Sequence, residues 1–119
     1  MKVFIGRHKH PFVKQTLKDK TKAIPLICMI DTGFAGGIAI PKSLETTLSW
    51  RVFMSQEWKL ADGNNIELDV YQGRVELNKC QIEDIGAIFV NGNEGLVGME
   101  FLMDKKLVFD VKKNLVELE

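Results

Sequence analysis

Ile27-Cys28-Met29-Ile30-Asp31-Thr32-Gly33-Phe34-Ala35-Gly36 is the stretch on which the reading of this chain turns. An apolar run delivers one aspartate, which is followed at once by a hydroxyl residue and glycine. A carboxylate placed after such a run is costly to bury unless it is paired, hydrogen-bonded or protonated. Thr32 supplies a hydroxyl, and Gly33, Gly36 and Gly37 let backbone approach closely. Taken alone, Asp31 reads most simply as a turn residue closing a strand. Its neighbours along the chain change that weight.

Upstream, Ala23 to Ile30 is almost wholly apolar and predicts a buried strand, with Pro25 marking an edge or bulge. Met1–Ile5 and Phe12–Leu17 predict outer strands around a Gly6–Pro11 connection. Downstream, Ile38–Ile40 predicts a short strand. Pro41 suits the first turn of a helix carrying Leu44 and Leu48 on one face. Arg51–Ala61 and Asn65–Leu77 flank Asp62-Gly63-Asn64, a strong hairpin signal. Ile66, Leu68 and Val70 alternate with Glu67 and Asp69, so one face of that arm is wet. Cys80–Val90 predicts another strand, and Asn91–Gly95 a loop. Leu96-Val97-Gly98 leads into a short helix over Met99–Lys105. Leu107–Val111 and Leu115–Leu118 pair around Lys112-Lys113-Asn114, where asparagine tolerates a left-handed turn. The expectation is a mainly β chain with one or two short helices, and its 119 residues suit one domain spanning residues 1–119.

In that order and spacing, the segments resemble the retropepsin-like aspartic proteases, most closely the small single-domain prokaryotic type. Ile27–Gly36 resembles the active-site strand and loop. Leu96-Val97-Gly98 before Met99-Glu100-Phe101-Leu102 resembles the second family signature, two apolar residues and a glycine ahead of a helix. Trp58–Gly63 and Tyr71–Val75 resemble the flap hairpin, and the last two strands resemble the closing strands. The likeness runs from Ala23 to the C-terminus.

The resemblance implies an all-β acid-protease barrel and an aspartic endopeptidase. Asp31 would be the catalytic carboxylate, one member of a pair that activates water. This chain has one Asp-Thr-Gly, so an active enzyme of this kind is a two-fold homodimer with Asp31 from each subunit. Thr32 would brace the two active-site loops, and Gly33 would offer its backbone to a peptide or protein substrate. Ala61, Asp62, Gly63, Asn64 and Asn65 would form the substrate-binding flap tip. No cofactor or metal is implied. Phe34 departs from the family, whose viral members carry a small residue there, and Asp62 adds a charge near the flap tip. A catalytically idle binding or dimerisation module on the same fold is the rival from another class, since fold alone does not establish activity. A small β-barrel adaptor carrying the motif by accident is a third reading.

Composition supports a globular protein and narrows its partners. The hydrophobic fraction is 45% with no low-complexity tract, which excludes disorder as the main state. The 16 basic and 16 acidic residues balance, so no large nucleic-acid footprint is expected. The lysine-rich stretch from Arg7 to Lys22 reads as a solvated face. No signal peptide, membrane partner or membrane span is expected, because charges interrupt every apolar run before Ala23. Cys28 and Cys80 sit near apolar residues and are expected to be buried free thiols, and a cytoplasmic setting follows as the default. His8 and His10 are two apart, but with no third ligand nearby they read as surface histidines. Trp50, Phe53 and Trp58 are expected in the core or against the flap, with Trp58 able to line a pocket.

Overall fold

The computed structural model describes residues 2–119. Met1, placed by the sequence at the head of the first strand, lies outside them. Ten strands account for most of the chain: β1 (Lys2–Ile5), β2 (Pro11–Lys18), β3 (Ala23–Ile30), β4 (Ile38–Pro41), β5 (Val52–Lys59), β6 (Asn65–Asn78), β7 (Gln81–Val90), β8 (Gly95–Val97), β9 (Leu107–Asp110) and β10 (Leu115–Leu118). One short helix, α1 (Met99–Leu102), follows β8.

The strand order is β1-β2-β3-β8-β4-β7-β6-β5, and β2 also pairs with β6. That last pairing closes β2-β3-β8-β4-β7-β6 into a six-stranded barrel. β1 and β5 lie outside the ring, while β9 and β10 form a separate antiparallel pair. Period-2 alternation fills the barrel. Val13 and Leu17 of β2, Cys28 and Ile30 of β3, and Val75 and Leu77 of β6 point inward and are buried. Phe101 and Leu102 of α1 and Leu118 of β10 close this core. A second, smaller cluster of Ala39, Val70 and Ile88 lies on the other face of the sheet, packed by Phe34, Trp58 and Leu96.

Several local expectations are corrected. β3 is not buried throughout: Ile27 is 48% exposed, and only Cys28 and Ile30 are buried. Ile27 faces outward, between Leu26 and Cys28, which face the core. β3 has β2 on one side along its length, but β8 covers only Cys28 to Ile30 on the other. Pro25 therefore sits where the strand is an edge, as its missing N–H requires. Pro41 ends β4 in an extended conformation (ψ 133°), and only a 3-10 turn, Lys42–Leu44, follows it. Leu48 is nevertheless buried, held by its N–H donating to Leu44 O at 3.1 Å. The Met99–Lys105 helix is shorter than expected, ending at Leu102. Cys80 is exposed, because it occupies the β6–β7 turn, where its N–H donates to Asn78 Oδ1 at 3.0 Å. At the β9–β10 turn, Asn114 adopts the left-handed conformation expected of it (φ 54°).

Candidate active site

β3 ends in the centre of the sheet, and Asp31 leaves it at that point. Ile30 pairs in parallel with Val97 of β8, and Val97 O then accepts the Asp31 N–H at 2.9 Å. On its other side β8 pairs antiparallel with β4, Ile38 opposite Val97. The loop 31–37 thus starts and returns on the two flanks of one short strand, which fixes both its ends.

Within the loop, Asp31 Oδ1 accepts the Gly33 N–H at 2.9 Å, and Asp31 O accepts the Phe34 N–H at 3.2 Å. The first bond holds one carboxylate oxygen and leaves Oδ2 free of the loop's own backbone. Asp31 is half-buried, and Thr32 and Gly33 are exposed. Among the described residues, Asp31 has no ion-pair partner.

Leu96, Val97 and Gly98 back this loop. Gly98 N–H donates to Gly37 O at 2.9 Å, Met99 N–H to Phe34 O at 2.8 Å and Glu100 N–H to Gly36 O at 3.1 Å. These donors are the N-cap Gly98 and the first two residues of α1, whose N–H groups lack intrahelical partners. They satisfy the loop carbonyls and lock its shape. Contact is so close at Gly98 that a Cβ would fall 2.4 Å from Phe34 O and 2.5 Å from Gly36 O.

The β5–β6 hairpin forms the other wall. Its strands pair from Val52–Tyr71 to Lys59–Asn65. At the tip, Leu60 N–H donates to Asn64 O at 2.7 Å, Gly63 takes φ +88°, and Asp62 Oδ1 accepts the Asn64 N–H at 2.9 Å. Ala61, Asp62, Gly63, Asn64 and Asn65 are all exposed. The Asp62 carboxylate is occupied within its own turn, since Asn64 Nδ2 also donates to it. Trp58 reaches from β5 to the loop and meets Phe34, with ring centroids 5.5 Å apart. A Cβ on Gly36 would meet both rings at 2.7 Å. Beside them remains a cavity of about 60 Å³ lined by Gln56, Trp58, Gly36 and Glu100. The Trp58 Nε1–H is buried and has no acceptor among the described residues.

The structure therefore brings Asp31, Thr32 and Gly33 together with Leu96, Val97 and Gly98. The hairpin tip is an exposed turn with its own hydrogen bonds. Two features escaped the sequence reading. The Phe34–Trp58 contact was signalled only by an aromatic directly after Asp-Thr-Gly. Glu100, beside the cavity and accepting the Gly86 N–H at 3.4 Å, carried no signal. Phe53, expected to pack, is 51% exposed. His8 and His10 are exposed; His8 lies in the turn Arg7–Lys9 in a left-handed conformation, not in a strand. Among the described residues, no group of three potential ligands is placed to hold a metal. None of their helices is long and apolar enough to cross a membrane.

No protein-family model matches the sequence, and no curated protein matches it. Solved structures do. EIAV protease, in a complex with the inhibitor HBY-793, superposes with a TM-score of 0.63 at 17% identity, covering 83% of this chain and 90% of that one. A retropepsin-like aspartic protease from Rickettsia conorii superposes with a TM-score of 0.61, also at 17% identity, covering 91% of this chain and 82% of that one. A six-stranded barrel that threads an aspartate loop past a short Gly-terminated strand, and its match to both structures, lead to one conclusion: this chain has the retropepsin-like fold.

Proposed function

We propose that this protein is an aspartic endopeptidase whose catalytic pair is Asp31 from each of two subunits. The observation that carries the reading is the presentation of Asp31. It is a half-buried carboxylate with one oxygen held by the Gly33 N–H, on a loop braced from behind by Gly98, Met99 and Glu100. That is a preorganised group with no ion-pair partner among the described residues, which suits half of a two-fold site.

Two carboxylates a few ångströms apart share one proton, since like charges so close do not both ionise. The ionised member takes a proton from water as the water oxygen attacks the peptide carbonyl carbon. The protonated member gives its proton to the carbonyl oxygen. The tetrahedral intermediate then collapses: the C–N bond breaks, the nitrogen leaves protonated, and the carbonyl re-forms as a carboxylic acid. Ala61 to Asn65 would close over the peptide as a flap and exclude water. Surface apolar side chains on and after α1 and on the terminal strands, among them Met99, Met103, Phe109 and Leu115, support a self-association face.

The test joins assembly to hydrolysis. Sedimentation across mildly acidic to neutral pH is expected to show a dimer. A diverse peptide library is expected to be cut by the protein and at least roughly 10²-fold more slowly by Asp31→Asn. A chain that stays monomeric, or one that cuts no faster than the variant, would sink the shared-pair mechanism and leave a binding module.

A further inference from the structure

One cavity has no residue of the Asp31 loop in its lining. It is a groove of about 590 Å³ at the foot of the β5–β6 hairpin, lined by Trp50, Arg51, Phe53, Gln72, Gly86 and Glu100 among others. Its volume is that of a small-ligand site, about 300–1,000 Å³. Gln72 of β6 and Gly86 of β7 are register partners in its floor, and the Glu100 carboxylate stands 3.4 Å from where a Cβ on Gly86 would be. A glycine inside a strand often marks close approach by a ligand or another backbone.

Phe53 is turned into this groove by a bulge. Val52 pairs with Tyr71 and Met54 with Val70, so Phe53 is the extra residue left without a partner. Bulges re-aim side chains and cluster beside functional sites. Trp50, on the same wall, is fixed by its Nε1–H donating to Lys18 O at 2.8 Å.

Most charges lining the groove are already engaged. Arg74 pairs with Asp84 at 2.9 Å and Lys18 with Glu76 at 3.5 Å, while Asp19 accepts bonds from Thr21, Lys22 and Ser49. Among the described residues, Arg51 and Lys20 have no ion-pair partner, and Glu100 has only the long bond from Gly86. Arg51 borders the floor at β6 and Glu100 at β7. Arg51 O accepts the Gln72 N–H at 2.8 Å, Gln72 is registered with Gly86, and Glu100 sits at Gly86. Two interstrand spacings separate the Arg51 and Gly86 backbones, about 10 Å.

An extended peptide advances roughly 3.3 Å per residue, so about three residues bridge that span. We propose that this groove binds a short zwitterionic peptide of about three residues. Its carboxylate lies at Arg51 and Lys20, its amino group at Glu100, and an apolar middle side chain rests against Trp50 and Phe53. The ligand is read by both of its ends, so an internal stretch of a longer chain does not satisfy the site. The proposal does not depend on hydrolysis at Asp31.

The chain has two tryptophans, which gives one indole N–H reporter in each region: Trp50 in the groove and Trp58 beside the Asp31 loop. ¹⁵N-labelled Asp31→Asn protein, used so that no peptide is consumed, is titrated with Ala-Phe-Ala to roughly 10 mM, where ligands of millimolar Kd register. Expected are shifts of the Trp50 indole and the Arg51 amide that exceed any at Trp58, whose cavity shares Gly86 and Glu100 with the groove. Acetylating or amidating the peptide is expected to weaken binding about ten-fold each, by loss of one charged hydrogen-bonding end. Arg51→Gln, at an exposed position, is expected to weaken the free peptide about ten-fold and to leave the amidated one unchanged. Glu100→Gln should do the same for the amino end, with the acetylated peptide unaffected. No shift, shifts at Trp58 instead, or equal binding by capped peptides overturns the proposal. If Glu100→Gln fails to fold, capping and Arg51→Gln still decide it.

Discussion

The Phe34 and Trp58 rings pack with centroids 5.5 Å apart at an interplanar angle of 39°, and this contact ties the Asp31 loop to the β5 arm of the hairpin. Aromatic pairs contribute about 0.5–1.5 kcal/mol beyond the area they bury. Trp58→Ala is therefore expected to cost about 1–3 kcal/mol, read as a lower urea midpoint. Because Trp58 anchors one arm of an otherwise exposed hairpin, amide exchange should accelerate across Val52–Ile66 and stay unchanged in β3 and β8. Uniform acceleration across the barrel would show that the contact stabilises the whole fold and does not hold the hairpin in particular.

Phe34 also limits the space beside Asp31. With both rings in place the cavity next to Gly36 is only about 60 Å³. Under the proposed function, Phe34→Ala opens it and shifts the cleavage profile toward bulkier residues at the position nearest Gly36. One methylene in an apolar pocket changes discrimination by about 1–3 kcal/mol, so removing a ring is readily seen. A library profile identical to that of the unaltered protein would exonerate Phe34 as the limiting group.

Gly98 is the steric keystone behind the loop. An added Cβ meets two backbone oxygens at 2.4 and 2.5 Å, and neither is the end of a flexible chain that can swing away. Gly98→Ala is expected to cost about 3 kcal/mol or more, measured by denaturant unfolding. Gly63→Ala tests a different cause. Nothing lies near its Cβ, and only its φ of +88° opposes the substitution, so a smaller loss of about 1 kcal/mol is expected. A ranking with Gly63 the more sensitive would contradict the close approach at Gly98.

Much of this architecture is legible in local patterns. The Asp62-Gly63 hairpin, the Asn114 turn and the order of apolar strands depend on turn chemistry and period-2 alternation, which act over a few residues. The errors share a different cause, which is packing and pairing decided at long range. Ile27 is exposed because it faces outward from the barrel, and an almost wholly apolar run such as Ala23–Ile30 does not record which face the rest of the fold covers. Pro41 suits a helix start equally well as a strand end, and β7 decides the matter by pairing Pro41 with Val90. The position of Asp31 follows from its tripeptide, but Glu100 and the Phe53 bulge depend on register between strands distant in sequence.

The two cysteines differ in chemistry because they differ in place. Cys28 lies inside the barrel, where burial pushes its thiol up to about 12, opposed by the Gln15 Nε2–H bond to its sulfur at 3.1 Å. Cys80 is exposed on a turn. Only the thiolate reacts with alkylating reagents. Native protein near pH 8 is expected to take one label per chain, at Cys80, and denatured protein two. Mass spectrometry of the native digest would contradict the buried assignment by showing Cys28 labelled at a comparable rate.

Asp19 closes the β2–β3 turn and tethers the segment after Leu48. Its Oδ1 accepts N–H groups of Thr21 and Lys22 at 2.9 and 2.7 Å, and its Oδ2 accepts the N–H and Oγ–H of Ser49 at 3.0 and 3.1 Å. These bonds, the Thr21 N–H foremost and then the Ser49 N–H, hold its carboxyl down at about 2, against 3.8 for the free group. A depressed folded-state value means the folded protein binds the proton less readily than the unfolded chain. The stabilisation is therefore present in full above 3.8 and is lost as pH falls toward 2. Asp19→Asn retains an acceptor on only one side of the side chain and is indifferent to pH. The unaltered protein should thus be the more stable near neutrality, with its advantage shrinking over that acid window. Thermal melts of both proteins between about pH 6 and pH 2 measure the gap, and a gap that stays level or widens on acidification would contradict the Asp19 tether.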